Sequence, residues 1–276
     1  MHSTTDFAAI GDIHGESAVL EMIDKAAPEG AVRIVVGDLL HGFDTPGTLD
    51  YAIDHNIMAV KGNHDVMLDA ALYARDPEVV AYIAELLGAV RYRNDTLSDF
   101  RAYGLEPQAI TATALYELRQ RVPDRHKEYI HAMPLYAVIG ESVIVHAGLT
   151  SQPLEEQLAE LDAYDALLRD GEYTDMPPQI SGVGLMPTGE YLKLSPGVRV
   201  INGHWHTAKT NTATERVQVD GRRVLLAPPR LVNYNYIWDS QQERVIRIDP
   251  DVYTEMPIAE ALPSQNLPDE SALVQQ

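Results

Sequence analysis

Five short motifs that combine glycine with Asp, Asn or His follow one another along this sequence, and the first three each end a short apolar run. The apolar runs cover 7–10, 31–36 and 57–60, and segments of helical periodicity at 17–27 and 45–55 separate them. Thr45 and Pro46 predict the N-cap and first turn of the second helix. The alternation predicts an α/β arrangement whose motifs share the carboxyl edge of a sheet.

The motifs supply a consistent set of metal-ligand side chains. They are Gly-Asp-Ile-His-Gly from Gly11, Gly-Asp from Gly37, Gly-Asn-His-Asp from Gly62, Val-His-Ala-Gly from Val145 and Gly-His-Trp-His from Gly203. Carboxylate and amide oxygens together with imidazole nitrogens suit divalent transition ions. Two such ions held about 3.5–4 Å apart form a common catalyst for displacement at phosphorus. The sequence therefore predicts a two-metal phosphoester hydrolase.

The remaining elements fall into a helical middle and a strand-rich end. The segment 66–133 shows helical patterns at 70–75, 77–87, 111–121 and 124–132 and is predicted as a helical insertion. A hairpin over 136–145, a helix over 154–169, a long loop over 170–196 and a strand over 198–201 follow. Further strands are predicted at 216–219, 223–226, 233–238 and 244–248.

Composition excludes several other classes of protein. The 276 residues carry 21 Lys and Arg against 41 Asp and Glu, a formal net charge of -20. Binding of long nucleic acid or of an anionic membrane surface needs a basic surface, so neither is expected as a partner. The sequence has no cysteine and shows no signal peptide or transmembrane segment, from which a cytoplasmic location is expected.

The order of the motifs resembles that of the calcineurin-like metallophosphoesterases. Within that superfamily, Gly-Asp-Ile-His-Gly, His-Ala-Gly-Leu and Gly-His-Trp are similar to the branch of phosphoprotein phosphatases and symmetrical diadenosine tetraphosphatases. The resemblance implies an α/β fold of the α+β sandwich type, with a central two-sheet core and flanking helices. It implies one metallophosphoesterase domain over 1–255, which contains the insertion at 66–133, and a loose acidic tail over 256–276.

The resemblance also implies a role for each motif residue. The first metal would take Asp12, His14 and Asp38, and Asp38 would bridge to the second metal. Asn63, His146 and His204 would complete the second site. His206 matches the last His of the general superfamily motif, which belongs to the first metal. The implied cofactors are two divalent metal ions, with Mn²⁺, Fe or Zn²⁺ as candidates.

The implied chemistry uses a metal-bridging hydroxide as the nucleophile, so that no Ser or Cys nucleophile is needed. His64, beside Asn63, matches the family's general acid, which protonates the leaving oxygen. Asp38 and His64 are therefore the predicted catalytic residues. Asp65 or Asp44 is a candidate for holding the His64 imidazole in its charged form.

The second motif departs from the branch pattern. Phosphatases of this branch read Gly-Asp-x-Val-Asp-Arg-Gly, whereas this chain reads Gly-Asp-Leu-Leu-His-Gly over 37–42. In the family the missing Asp orients the general-acid His and the missing Arg clamps substrate phosphate. His41 is a candidate to replace either one, and Lys61 matches a second phosphate-binding basic position. Both are predicted substrate-binding residues.

Three functions remain open at this stage. The first is hydrolysis of a small phosphoester or phosphoanhydride, by a phosphatase or a nucleoside polyphosphate hydrolase. The second is a Ser, Thr or Tyr protein phosphatase, whose partner would be a phosphoprotein. The third is a non-catalytic metal-binding descendant, which the missing Asp-Arg pair favours and the retained His64 disfavours. The helical insertion is expected to form a lid that sets the choice of substrate.

Overall fold

The computed structural model describes residues 6–89, 92–183, 185 and 198–204, together with the backbone of the strands between 216 and 256. Those strands cover 216–219, 223–227, 235–239, 244–248 and 253–256. No helix in the described ranges is both long and apolar enough to cross a membrane.

A six-stranded sheet contains the first two motifs and leads to the third. Its parallel part consists of β1 (Phe7–Ile10), β2 (Val32–Val35) and β3 (Met58–Ala59). The strands β9 (Asn235–Asp239), β10 (Arg244–Ile248) and β11 (Tyr253–Met256) extend it antiparallel from β1. The order is β11-β10-β9-β1-β2-β3, so the three N-terminal strands end at one edge. All four residues of β1 are buried, as its unbroken apolar run predicts.

A five-stranded sheet carries the last two motifs. Its order is β4 (Tyr136–Ile139), β5 (Ser142–Val145), β6 (Arg199–Asn202), β8 (Arg223–Ala227) and β7 (Arg216–Val219). The strands β5, β6 and β8 are parallel, and β4 and β7 are antiparallel edge strands. Strand β8 lies against β9 of the first sheet. The two-sheet core that the sequence predicted is therefore confirmed.

Two helices follow the first and second motifs, and the first of them contacts β9 and β10 of the six-stranded sheet. They are α1 (Ser17–Ala26) and α2 (Thr45–Asp54), which pack on each other. The prediction that Thr45 is the N-cap of α2 is wrong by one residue. Asp44 caps the helix, because its Oδ1 accepts a hydrogen bond from the amide of Gly47 across 3.1 Å.

Five consecutive helices occupy the segment between β3 and β4. They are α3 (Asn63–Tyr73), α4 (Pro77–Gly88), α5 (Arg93–Ala102), α6 (Ala112–Arg121) and α7 (Asp124–Ala132). Helix α3 is buried on nearly every side and contacts α4, α6 and α7. Two differences from the sequence expectation stand out: α3 begins at the third motif itself, and α5 was not predicted at all.

Two more helices lie between β5 and β6 in the part of the chain that the structure describes. Helix α8 (Leu154–Arg169) has the bounds expected from its periodicity, and α9 (Pro178–Ser181) interrupts what was expected to be a long loop. Its Gln179 carbonyl accepts the amide hydrogen of Ala147, which fixes α9 beside the fourth motif. The turn between β7 and β8, the tail after 256 and the fifth motif beyond His204 lie outside the described residues.

Candidate metal centre and active site

Four site residues adopt left-handed backbone conformations. His14, Asp38, His41 and His204 have φ of 51°, 49°, 67° and 69°, and each belongs to a motif loop that follows a strand. A residue other than glycine pays free energy to adopt this backbone conformation, and such strain concentrates at functional sites. The loops of the first two motifs are tied together, because the Asp38 carbonyl accepts the amide hydrogens of Ile13 and His14 across 3.0 and 2.8 Å.

Asp38 lies between two groups of potential metal ligands. It forms one group with His14 and His64 and a second with His146 and His204, and the ligand atoms within each group lie within 4.8 Å of one another. Its Oδ2 is 3.9 Å from His14 Nε2, 4.0 Å from His64 Nε2 and 3.3 Å from His146 Nε2. One carboxylate therefore faces both groups, as a bridging ligand must.

The nitrogen and oxygen atoms of the second group lie close to one another. The Nδ1 of His146 lies 3.1 Å from the carbonyl oxygen of Val36, which can only accept, so Nδ1 carries the hydrogen. In the neutral ring Nε2 then presents its lone pair, 3.2 Å from Asn63 Oδ1 and 3.0 Å from His204 Nδ1. Two imidazole nitrogens, an amide oxygen and the Asp38 carboxylate form a set of ligand atoms that fits a divalent ion.

Asp12 lies beside these groups, outside both of them. It is 3% exposed, and its Oδ2 accepts the backbone amide hydrogen of His204 across 3.0 Å. Burial raises the pKa of Asp12 to about 8, against the opposing charge of His146. The structure therefore joins the first and fifth motifs through Asp12.

The charges of Asp38 and His146 shift each other's pKa values. Burial alone would raise the pKa of Asp38, but the positive charges of His146 and His64 hold it well below its usual range. Burial alone would lower the pKa of His146, yet the Asp38 carboxylate raises it to about 9. A buried set of carboxylates that needs protons or imidazolium for neutrality is the environment that a metal ion stabilises.

Asp65 holds the second and third motif loops together. It is fully buried, and its oxygens accept the amide hydrogens of Leu39, Leu40 and Gly62 across 3.3, 3.1 and 2.8 Å. Burial, followed by the Asp38 charge, raises the pKa of Asp65 to about 7. Asp44 is engaged as the cap of α2. The role of holding His64, which the sequence suggested for Asp65 or Asp44, stays a prediction.

Two motif glycines make room for the ligand side chains. A Cβ atom at Gly62 would lie 2.2 Å from Asp38 Oδ1, and one at Gly203 would lie 1.9 Å from Asp12 Oδ1. Neither distance is possible for a real side chain. These glycines are therefore required by close approach, in addition to any turn they form.

Three aromatic rings surround the His64 imidazole. Its centroid lies 5.2 Å from that of His14, 4.9 Å from that of His41 and 5.5 Å from that of Tyr92. The His64 amide also donates to Asp38 Oδ1 across 3.1 Å, which anchors the start of α3 at the site. The side chain of His14 is 18% exposed against 4% for His64, so the site opens towards solvent on the His14 side.

The two predicted substrate-binding residues are both buried. The Lys61 side chain is 0% exposed, and its Nζ lies 2.8 Å from Asp69 Oδ2 and donates to the His131 carbonyl. This arrangement favours a structural ion pair, and substrate binding by Lys61 stays a prediction that these contacts do not support. The His41 side chain is also 0% exposed and lies beside Asp99. His206 lies outside the described residues.

A family model for calcineurin-like phosphoesterases matches residues 5–208, about three quarters of the sequence. The chain belongs to the calcineurin-like phosphoesterase family. It is therefore a phosphoester hydrolase of a metal-dependent family, with candidate ligand groups at the position that the motifs define. No curated protein matches this phosphoesterase at a significant level.

Solved structures agree on the fold of this phosphoesterase. A protein proposed to be a diadenosine tetraphosphatase is 18% identical with a TM-score of 0.51, over 93% of this chain and 95% of its own. A cold-active protein-tyrosine phosphatase of a psychrophilic Shewanella species is 16% identical with a TM-score of 0.52, over 92% of this chain and 81% of its own. At this level of identity, the likeness shows a shared fold.

Sequence reasoning missed three residues that shape the phosphoesterase site. Tyr92 directly precedes α5 and Asp99 lies within it, and the sequence of this polar helix contains no recognisable motif. Val36 contributes only its carbonyl, so its side chain carries no signal. The burial of Asp99 can be predicted from the sequence only if the polar helix that contains it is predicted first.

Proposed function

We propose that this phosphoesterase is a dinuclear-metal-dependent hydrolase of small phosphoesters or phosphoanhydrides. The observation that carries the proposal is the position of Asp38, whose single carboxylate faces both ligand groups. His14 and Asp38 would hold one ion together with Asp12 and His206, which are included on the basis of their motifs. Asp38, Asn63, His146 and His204 would hold the other. When bound, the two ions would activate water for attack at phosphorus and neutralise the phosphoryl oxygens.

The protein residues contribute orientation and a proton. Val36 fixes the His146 tautomer, so that Nε2 faces the ligand group. Asp65 holds the loops of Asp38 and Asn63 at a fixed spacing through three amides. His64, whose Nε2 lies 4.0 Å from Asp38 Oδ2, would protonate a leaving oxygen as general acid.

Activity assays with Mn²⁺ test the proposal. An aryl phosphate, a phosphopeptide and a diadenosine polyphosphate would be compared using wild type, Asp38→Asn and Asp50→Asn. Asp50 is a partly exposed partner of Arg125 and His126, so Asp50→Asn is a matched control that should keep activity. Asp38→Asn should lose more than about 100-fold, since even outer-shell partners of a metal contribute 10–100-fold.

Each outcome of this assay separates the functions. Preference for the phosphopeptide would favour a protein phosphatase over the small-substrate hydrolase. Full metal occupancy with no hydrolysis of any substrate would favour the non-catalytic descendant. Metal analysis of the active protein would identify the ions among Mn²⁺, Fe and Zn²⁺, and finding one ion per chain would contradict the dinuclear proposal. A cytoplasmic location stays part of the proposal and needs fractionation of the native host.

A further inference from the structure

A buried acid from the helical insertion lies against the second motif. Asp99 of α5 is 0% exposed, and its Oδ2 lies 3.4 Å from His41 Nε2. The two side chains are 58 positions apart in sequence, and both are inaccessible to solvent. At 3.4 Å the imidazole edge is packed directly against the carboxylate, and both side chains are enclosed by the protein. This close packing restricts rotation of the His41 ring.

The Asp99 carboxylate is itself held in place from α2. Its Oδ1 accepts the hydroxyl hydrogen of Thr45 across 2.6 Å, and Thr45 Oγ1 in turn accepts the amide hydrogen of Gly42. Thr45 is fully buried and is the first residue of α2. With Oδ1 engaged by Thr45, Oδ2 faces His41. The loop of the second motif is thus tied to α5 through one carboxylate.

His41 passes this restraint to His64. The two ring centroids are 4.9 Å apart with the ring planes at 68°, an edge-to-face contact that restricts rotation of the His64 ring. Tyr92, the residue before α5, makes a second edge contact at 5.5 Å and 84°. Helix α5 therefore supports the His64 imidazole twice, directly through Tyr92 and indirectly through Asp99 and His41.

We infer that Asp99 and His41 are positioning residues that aim the His64 imidazole at the leaving oxygen. The inference rests on the proposed function of His64 as general acid. Under this inference, α5 of the insertion takes part in the reaction. The inference also explains why the second motif can have His41 in place of the Asp-Arg pair of the branch. A general acid contributes only when its proton meets the leaving group, and a displacement of about 1 Å can cost about 100-fold.

Leaving-group dependence separates this positioning role from a structural one. An alkyl phosphate needs protonation of its leaving oxygen, whereas a p-nitrophenyl phosphate leaves readily without it. Asp99→Asn and His41→Phe should therefore lower kcat for an alkyl phosphate by about 10–100-fold, the range of residues that orient a catalytic group. Their kcat for p-nitrophenyl phosphate should fall less than about threefold, and KM should change little for either substrate.

A matched control comes from another buried His paired with an acid. His126 Nε2 lies 3.0 Å from Asp50 Oδ1, and these residues join α7 to α2 away from the ligand groups. His126→Phe should leave the ratio of alkyl to aryl activity unchanged. Metal content and the unfolding midpoint, measured for every variant, would show which of them retain the native site.

A double-mutant cycle with His64→Asn gives a second readout. If Asp99 acts through His64, Asp99→Asn should cause no further loss of alkyl phosphatase activity in the His64→Asn background. Equal losses on alkyl and aryl substrates, or additive losses in the cycle, would overturn the inference. A wild type inactive on both substrates would overturn the proposed function instead, so the two failures are distinguishable. If Asp99→Asn fails to fold, His41→Phe carries the same two comparisons.

Discussion

The His146 ring donates its Nδ1 hydrogen to the carbonyl oxygen of Val36, which belongs to the loop of the second motif. The 3.1 Å contact links the two sheets and turns Nε2 towards Asp38 Oδ2, 3.3 Å away. The fourth motif is therefore oriented by backbone of the second. A metal-ligating His depends on such a partner for its tautomer and direction.

Replacing His146 with Gln should weaken metal binding more than any change outside the two ligand groups. We expect affinity for Mn²⁺ to fall by at least about 100-fold, because a direct ligand matters more than its outer-shell partners. Titration calorimetry of the metal-free protein measures the effect. His126→Gln is the matched control and should bind as wild type does. Unchanged affinity in His146→Gln would remove His146 from the ligand set.

Gly62→Ala should damage the site without removing any ligand. The new Cβ would lie 2.2 Å from Asp38 Oδ1 and 2.4 Å from the Asp38 backbone nitrogen, so backbone as well as side chain must move. We expect a loss of about 1–3 kcal/mol in the free energy of unfolding, typical of overpacking, together with weaker metal binding. Urea unfolding and metal titration on one sample measure both.

Gly88→Ala provides the control for that substitution. Gly88 ends α4, and the nearest neighbours of an added Cβ are 3.9 Å away. In a helix, replacing Gly with Ala should raise stability by up to about 1 kcal/mol and leave activity intact. If Gly62→Ala behaved like Gly88→Ala, the close packing of Gly62 against Asp38 would be refuted.

Asp65→Ala should destabilise the fold as well as the site. The substitution leaves the buried amides of Leu39, Leu40 and Gly62 without their acceptor, and each such loss costs about 1–3 kcal/mol. We expect at least about 3 kcal/mol by chemical denaturation. Asp76→Ala removes an exposed helix cap at the amide of Glu78 and should cost only about 1 kcal/mol. Similar costs for the two variants would contradict the structural role of Asp65.

The sequence predicts the motif-bearing strands well because each combines a buried apolar run with a glycine that ends it. Strand β1 has the predicted bounds and β2 lies within its predicted run, and α8 matches its periodicity at both ends. The N-cap of α2 falls at Asp44, one residue before the prediction. Asp and Thr are both good caps, so only the hydrogen bond to Gly47 distinguishes them.

The parts that sequence did not predict depend on tertiary contacts. Helix α5 buries only Thr96, Asp99 and Phe100, so it has no apolar stripe from which periodicity could be read. Its stability comes from packing on α2 and α4. The burial of Lys61 could not be predicted either. Its partner Asp69 lies about two turns into α3, whereas the sequence predicted that this helix begins only at residue 70.

Stability of the metal-free protein should fall as pH rises, and Asp99 should account for part of that fall. Burial raises the pKa of Asp99 to about 8 in the folded chain, whereas an unfolded Asp titrates near pH 4. Between these values the folded state holds one proton more than the unfolded state. The free energy of unfolding should therefore decrease by about 1.4 kcal/mol per pH unit for this group.

Asp99→Asn removes this titrating carboxyl group, so the stability of the variant should depend less steeply on pH than that of wild type. Urea unfolding in the presence of a chelator at several values between pH 5.5 and 7.5 would measure the slope. Asp12 and Asp65, whose pKa values burial also raises, keep a residual slope in the variant. Gly88→Ala changes stability without changing any ionisable group and should retain the wild-type slope. An Asp99→Asn slope equal to that of wild type would mean that Asp99 is already ionised when buried beside His41.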